Sequence, residues 1–188
     1  TGGGPTPPDP PEGASNSLRF RNNAPCYLTS SELGNTVLTN YTISVWVKKG
    51  FSSDTTSKFI ITSGSAGTNF GALGFNNDGS TPAFNFKEMA NGSGTAASSP
   101  DRHRDFSAWY HLVATNDTSG VQKLWINGRL SSQTNGTGSV SLFSQSPVQI
   151  GLYADPSYTS TAWEGYLADF YFIEQVLEPT AFGRENND

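Results

Sequence analysis

The residues of this 188-residue chain best suited to chemistry lie in one aromatic, oxygen-rich loop. Between positions 152 and 163 that loop supplies Tyr153, Asp155, Tyr158 and Trp163. Aromatic rings cover the apolar face of a sugar, while carboxylates accept hydrogen bonds from its hydroxyl groups. The spacing therefore predicts that these four residues bind a sugar. The alternative is packing, with Trp163 covering the core and Tyr158 contacting a neighbouring subunit.

Two loops carry the oxygen ligands that calcium prefers. Asn76, Asn77 and Asp78 form one turn, and Asp155 precedes a run of hydroxyl residues at 157–161 in the other. Calcium takes carboxylate, amide and main-chain oxygens from loops. Asn and Asp also occupy turns because they bond their own backbone there, so turn chemistry is the competing interpretation. Calcium is the one cofactor that the sequence suggests, and no cofactor is predicted to be required.

The acidic residues offer no convincing pair of carboxyls for glycoside hydrolysis. A retaining glycosidase places two carboxyls about 5 Å apart, so on one strand they must be two or four positions apart. Glu164 and Asp169 are five positions apart, which would send their side chains to opposite faces. Asp101 and Asp105 have the spacing, but an Arg-His-Arg run separates them. That run favours a solvated loop whose charges pair with one another.

The histidines and serines form no acid–base or nucleophilic arrangement in the sequence. No serine lies in a nucleophile elbow, and no glycine-rich loop has the spacing of a phosphate cradle. His111 is interpreted as a hydrogen-bonded structural side chain, with the base of a lyase as the alternative. The sequence therefore predicts a protein that is not an enzyme. A polysaccharide lyase or hydrolase is the remaining alternative.

Composition favours short strands and argues against two classes of partner. Charged residues make up 14% of the chain, against about a quarter in an ordinary soluble domain, and 20 glycines and 11 prolines punctuate it. A helical bundle would need more Glu, Lys and Arg. The net charge of −5 argues against a nucleic-acid partner, which requires a basic surface. No apolar run approaches the roughly 18 residues of a membrane span.

The cysteine and three of the tryptophans are predicted to be structural. Cys26 is the single cysteine, which excludes an internal disulfide and a cysteine-based zinc site. We expect it to be a small buried side chain. Trp46, Trp109 and Trp125 lie within strand-like runs and are expected in the core.

The composition of the chain changes at about residue 15. Residues 1–14 are rich in Gly and Pro and are predicted to be a stiff linker. Residues 15–188 are predicted to form one all-β domain, a two-sheet antiparallel jelly-roll sandwich with one short helical turn near the C-terminus. Alternating apolar runs between turn signals carry that prediction. The predicted strands are 17–21, 26–29, 41–48, 58–63, 70–75, 82–87, 109–116, 121–127, 129–132, 139–143, 148–153 and 165–173.

Three local patterns refine this picture. Asn127-Gly128 predicts a tight turn because that pair accepts positive φ at low cost. Residues 165–173 are apolar on both faces, which predicts a central strand covered on both sides. Residues 178–183 predict the helical turn, because Pro179 stands near its start and Gly183 at its end.

Five short blocks in a fixed order resemble the laminin-G-like, concanavalin A-like lectin-glucanase domains. The blocks are Ser17-Leu-Arg-Phe20, Tyr41-Thr-Ile-Ser-Val-Trp46, Trp109-Tyr-His-Leu-Val-Ala114, Leu124-Trp-Ile-Asn-Gly-Arg129 and Val148-Gln-Ile-Gly151. With the closing residues 163–183, the likeness covers about residues 17–183. It implies a curved sandwich whose concave sheet and rim loops often hold sugars, sometimes with a calcium ion. Other members of the family are spacers or assembly modules without a ligand.

The closing residues 165–183 are most similar to domains in structural proteins of marine tailed phages. That narrower resemblance implies a virion appendage or decoration domain. Its partners would be a surface glycan or other subunits of a virion or cell-surface assembly, at a virion-surface or extracellular location. A homo-oligomer is compatible with this role. The alternative function is a secreted carbohydrate-binding module of a bacterial enzyme or adhesin.

Overall fold

The fold is described from a computed structural model of the chain. The structure describes residues 16–21, 26–30, 38–50, 56–65, 69–76, 83–90, 93–135, 147–153 and 159–182. The predicted linker at 1–14 and the predicted strand at 139–143 lie outside these residues.

Twelve strands in the described residues form two six-stranded antiparallel sheets, which confirms the predicted all-β sandwich. In spatial order the first sheet consists of β1 (Leu18–Phe20), β12 (Gly165–Ile173), β3 (Tyr41–Lys49), β8 (Trp109–Asn116), β9 (Val121–Ile126) and β10 (Arg129–Asn135). The second sheet consists of β2 (Leu28–Ser30), β11 (Val148–Ile150), β4 (Lys58–Ser65), β5 (Asn69–Asn76), β6 (Ala83–Ala90) and β7 (Ser93–Ser98). Two 3-10 turns follow β11 and β12, at Thr159–Thr161 and Pro179–Phe182. No helix in these ranges has the length and apolarity to cross a membrane.

The core lies between the two sheets and is built from alternating residues of each strand. In β3, Ile43, Val45 and Val47 are completely buried and face the second sheet. In β6, Phe84 and Phe86 face them from the other side. This two-residue period confirms the predicted inward faces, because successive side chains of a strand point to opposite sides of its sheet.

A bulge in β12 changes which of its residues face the core. Ala168 pairs with Trp46, but the next pair along the strand is Tyr171 with Ser44, so two residues of β12 oppose one of β3. Asp169 adopts a φ of 46° at this point. The extra residue places Phe170 and Phe172 against the core and leaves the ring of Tyr171 51% exposed. The prediction of a strand covered on both sides is therefore wrong, because Tyr171 is exposed in its second half and Tyr166 is partly exposed in its first half.

Other local predictions are confirmed, extended or corrected. Asn127 and Gly128 adopt φ values of 52° and 75° in the predicted turn. The predicted helical turn is the 3-10 turn Pro179–Phe182. Sequence analysis missed β7, because it consists of small and polar residues without an apolar period. Cys26 is exposed, so the expectation of a buried cysteine is wrong.

The bulge leads to a testable prediction about Asp169. A β-branched residue tolerates positive φ poorly, so Asp169→Val should lower the free energy of unfolding by about 1–2 kcal/mol. Asp169→Gly is the matched control and should unfold at the same or a higher urea concentration than the parent chain. Equal stability of the Val and Gly variants in urea denaturation would contradict the assigned backbone strain.

Candidate functional site

A row of four neighbouring side chains crosses the outer face of the first sheet. Arg19 of β1 pairs with Tyr166 of β12, Tyr166 pairs with Lys48 of β3, and Lys48 pairs with Trp109 of β8. We call these four residues the cation–ring row. Each stands one position away from an inward-facing neighbour, which is why all four point outward. Arg19 is exposed and the other three are partly exposed, so the row is accessible to a ligand.

The two rings of the row lean toward each other. Tyr166 and Trp109 lie on strands that flank β3, so their backbones are about 10 Å apart. Their ring centroids are only 6.4 Å apart and the ring planes are inclined by 55°. The two rings therefore lean together from the strands on either side of β3, and the guanidinium carbon of Arg19 lies 5.7 Å from the centroid of Tyr166.

A cleft continues from the Arg19 end of the row. It has a volume of about 510 Å³, within the range of small-ligand sites. Its polar lining consists of Arg19, Arg21, Glu164 and Tyr166. Arg19 and Arg21 are two positions apart in the chain, so both side chains lie on the same side of the extended segment. We call this cavity the corner cleft.

The floor of the corner cleft requires glycine at position 165. Gly165 has a φ of 136°, and a Cβ atom there would lie 2.1 Å from the carbonyl oxygen of Lys48. Next to it, the amide of Gly50 donates a hydrogen bond of 2.9 Å to the carbonyl oxygen of Glu164. This close approach of β12 to the end of β3 brings Tyr166 beside Lys48.

The C-terminal residues cover another part of the same outer face. Thr42 Oγ1 donates a hydrogen bond to the carbonyl oxygen of Gln175 (2.6 Å) and accepts one from the amide of Leu177 (2.8 Å). The ring of Phe182 contacts those of His111 and Tyr171, with centroids 6.3 and 6.1 Å away. The end of the face that carries the cation–ring row is therefore its accessible region.

His111 lies on this outer face and has a structural environment. Its ring stacks on Trp46 at 4.8 Å, and Nε2 lies 2.9 Å from Ser44 Oγ. Burial lowers the pKa of His111 to about 4, so the imidazole is neutral at physiological pH. Trp46 and Trp125 are buried on this face too, whereas Trp109 is partly exposed. The expected burial is therefore confirmed for Trp46 and Trp125 and is wrong for Trp109.

The predicted sugar-binding residues separate in the structure. Trp163 is completely buried in the core between the sheets, which contradicts its predicted role as an exposed sugar-stacking ring. Tyr153 is partly exposed on the outer side of the second sheet, where it stacks on Phe59 (4.8 Å) and meets Phe70 edge-on (5.5 Å). Asp155 and Tyr158 lie outside the described residues. A sugar contact at Tyr153 stays a prediction.

The predicted calcium ligands are for the most part outside the described residues. Asn77, Asp78 and Asp155 belong to that part of the chain. Asn76 ends β5, and its Oδ1 atom accepts a hydrogen bond of 2.7 Å from Ser57. Across the described ranges, no group of three or more His, Cys, Asp or Glu side chains is placed to hold a metal ion. Calcium binding at these loops stays a prediction.

The loop at 101–105 is built into the end of the sandwich. Asp105 Oδ1 accepts hydrogen bonds from the Ser107 amide (2.8 Å) and hydroxyl (2.7 Å), and these bonds lower its pKa. His103 Nε2 lies 3.0 Å from Ser99 Oγ, and burial with the nearby Lys49 charge lowers its pKa to about 4. These contacts anchor the loop and present no pair of carboxylates.

Lys49 is the other unusual side chain at this end of the sandwich. Its ammonium group donates a hydrogen bond to the His103 carbonyl and lies 4.5 and 4.8 Å from the ring centroids of Phe75 and Phe106. Burial lowers its pKa to about 8. The ring faces and the carbonyl stabilise the charge inside the fold. We therefore assign Lys49 a structural role.

Sequence analysis missed the cation–ring row, although one signal was present. Arg19 and Lys48 interrupt apolar runs at positions where a strand alternates outward. Which outward residues become neighbours depends on the order and register of four strands, and those pairings join residues far apart in the chain.

The fold recurs in proteins of known structure. A family model described as the concanavalin A-like lectin/glucanases superfamily matches residues 21–181. No curated protein sequence matches the chain.

Three solved structures illustrate the likeness. Mouse laminin alpha1 chain, domains LG4-5, has a TM-score of 0.64 at 12% identity; the match covers 86% of this chain and 42% of that chain. The CBM40 of Ruminococcus gnavus IT-sialidase, bound to α2,3 sialyllactose, has a TM-score of 0.61 at 14% identity, covering 77% and 81%. Domain 4 of AbnA, a GH43 extracellular arabinanase from Geobacillus stearothermophilus, in complex with arabinotriose, has a TM-score of 0.59 at 12% identity, covering 88% and 84%. At these identities the likeness establishes the fold alone.

The burial of Trp163 leads to a prediction about stability. Trp163→Ala should lower the free energy of unfolding by about 3–5 kcal/mol, because it removes a large ring from the core. Urea denaturation followed by circular dichroism measures the change. A variant as stable as the parent chain would contradict the core position of Trp163.

The two neutral histidines predict a loss of stability in acid. Their pKa values fall from 6.5 to about 4 on folding, so the unfolded chain binds more protons between these pH values. The free energy of unfolding should therefore decrease as the pH falls through this window. His111 alone contributes on the order of 3 kcal/mol.

His111→Gln tests that contribution, because it removes the titration and retains a group that can bond Ser44. Urea denaturation at a series of pH values should give a shallower decrease for the variant than for the parent chain. Identical pH dependence of the two proteins would show that His111 does not keep a lowered pKa.

Proposed function

The chain belongs to the concanavalin A-like lectin/glucanase superfamily, and on that premise we propose that it is a non-enzymatic module that binds a glycan. The glycan contacts the cation–ring row and the corner cleft. Residues outside the first sheet serve as the scaffold that holds this surface.

The cation–ring row is the observation that carries the proposal. Two aromatic walls offer apolar faces for sugar rings, and the neighbouring Arg19, Lys48 and Glu164 side chains offer polar groups for hydroxyls and substituents. Four adjacent strand positions span about 14 Å, which suits a short oligosaccharide. Strand pairing fixes the backbone under all four residues, so the surface is formed before a ligand arrives.

The fold comparisons support the same class of ligand. Two of the matching structures contain a saccharide, sialyllactose in one and arabinotriose in the other. The first is the CBM40 of a sialidase and the second is domain 4 of an arabinanase. A carbohydrate-binding module is therefore the simplest function for the present chain.

A binding role also fits the acidic residues better than a hydrolytic role does. Among the described residues, Glu164 is the one carboxylate that lines the corner cleft, whereas glycoside hydrolysis uses two carboxyls on either side of the scissile bond. His111 is buried under Phe182 and bonded to Ser44, so a base at that position would not be exposed to a ligand on the cation–ring row.

The biological setting stays a prediction. We favour a virion appendage or decoration domain that meets a surface glycan, with a secreted carbohydrate-binding module of a bacterial enzyme or adhesin as the alternative. The two settings differ in the partner domain, not in the chemistry of the cation–ring row.

An assembly role is the second candidate function, and one observation favours it. Leu18, Tyr27 and Leu28 are 57%, 43% and 51% exposed on β1 and beside or within β2, the strands at one edge of each sheet. Apolar side chains at sheet edges are suited to contact another subunit. Concentration-dependent sedimentation that is abolished in a Leu18→Ser, Leu28→Ser variant would support this role.

Binding of the full chain to a glycan array tests the proposed function. Trp109→Leu and Tyr166→Leu should each weaken binding about tenfold, because they remove a ring face and retain apolar volume. Tyr153→Leu is the matched control on the second sheet and should bind like the parent chain. Binding should persist in a calcium chelator.

Two outcomes would contradict this assignment. If the folded parent chain binds no glycan on the array, that result would argue against glycan binding and favour the assembly role. Loss of binding in Tyr153→Leu alone, with unchanged melting temperature, would move the site to the aromatic loop at 152–163.

A further inference from the structure

We propose that the glycan bound at the cation–ring row is acidic and carries a carboxylate or sulfate group that Arg19 and Arg21 hold in the corner cleft. This inference rests on the proposed function and adds the chemical class of the ligand.

The local charge of the site is opposite to that of the chain. The chain carries 16 acidic and 11 basic residues, for a net charge of −5. At the corner cleft and the adjoining row, however, the described residues include three cations, Arg19, Arg21 and Lys48, and one carboxylate, Glu164. A locally cationic surface on an acidic protein favours an anionic ligand of limited size over a long polyanion, which the rest of the surface repels.

The arginines have the geometry that anion recognition requires. Their side chains lie on the same side of one extended segment and line one cavity. A guanidinium group offers paired N–H donors that match the two oxygens of a carboxylate or sulfate. The contact of Arg19 with the Tyr166 ring holds one of these forks beside the sugar-stacking surface.

Among the residues that the structure describes, no ion pair neutralises Arg19, Arg21 or Lys48. Like charges two positions apart in an extended segment repel each other. An anionic ligand group between them would replace that repulsion with two charge-assisted hydrogen bonds.

The other residues of the site can contact further parts of the ligand along the row. Lys48 lies on β3, between the strands that carry the two rings, and offers a further positive charge one strand away from Tyr166. Glu164 can accept hydrogen bonds from sugar hydroxyls on the cleft side. A ligand with one acidic substituent in the corner cleft and a sugar ring against Tyr166 or Trp109 uses every group of the site.

Isothermal titration of the full chain with three oligosaccharides of matched length tests the inference. One carries carboxylates, one carries sulfates and one is neutral. The acidic ligand that fits should bind at least about tenfold more tightly than the neutral one, and its affinity should fall as the salt concentration rises. The carboxylated and sulfated ligands distinguish the two sources of negative charge.

Charge-matched variants identify the residues responsible. Arg19→Gln and Arg21→Gln should each weaken binding of the acidic ligand about tenfold, a larger loss than either variant causes for the neutral ligand. Arg129→Gln is the control, because it makes the same change on an exposed residue of β10, at the opposite edge of the first sheet. Melting temperatures of all three variants confirm that they fold.

The outcomes separate this inference from the proposed function. Equal affinity for acidic and neutral ligands, with binding lost in Trp109→Leu, would overturn the acidic preference and retain the glycan site. Equal loss in Arg19→Gln and Arg129→Gln would also overturn it, because the effect would then come from overall charge. The absence of binding to all three ligands, and to the glycan array, would overturn both.

Discussion

The site depends on one constraint, the antiparallel pairing of β12 with β3. In the first part of this pairing, Gly165 lets the two backbones approach closely, so that Tyr166 stands beside Lys48. In the second part, the bulge at Asp169 changes the register and places Phe170 and Phe172 against the core. The same strand therefore supplies a ring to the outer surface at one end and seals the core at the other. Without either feature, the row and the core could not be built from one strand.

Alternation along the chain was sufficient to predict the sandwich and most of its strands. Residues 41–49 and 109–116 show why, because their inward positions are apolar and their turn residues are clear. The alternation of the sequence did not predict the bulge, because an Asp at position 169 in an apolar run does not indicate an extra residue in the strand pairing. The strand β7 was missed because it has almost no apolar residues, and it is specified by its pairing with β6.

The site was harder to predict than the fold for a physical reason. The loop at 152–163 was predicted to bind a sugar because its aromatic and acidic residues are close in sequence. In the structure, however, Trp163 packs in the core and Tyr153 packs on Phe59. The cation–ring row draws each residue from a different strand, and the register between strands brings them together. Short-range patterns indicate which way Arg19 and Lys48 point, but they do not indicate which rings lie next to them.

The central claim is that the cation–ring row is the ligand-binding surface. The four tryptophan indole N–H signals in a ¹⁵N-correlated NMR spectrum test it most directly, because they lie at distinct places in the fold. Titration with the best-binding acidic oligosaccharide should shift the Trp109 signal and leave that of the buried Trp163 unchanged. Saturable binding with no change at Trp109 would contradict the account and place the ligand elsewhere on the molecule.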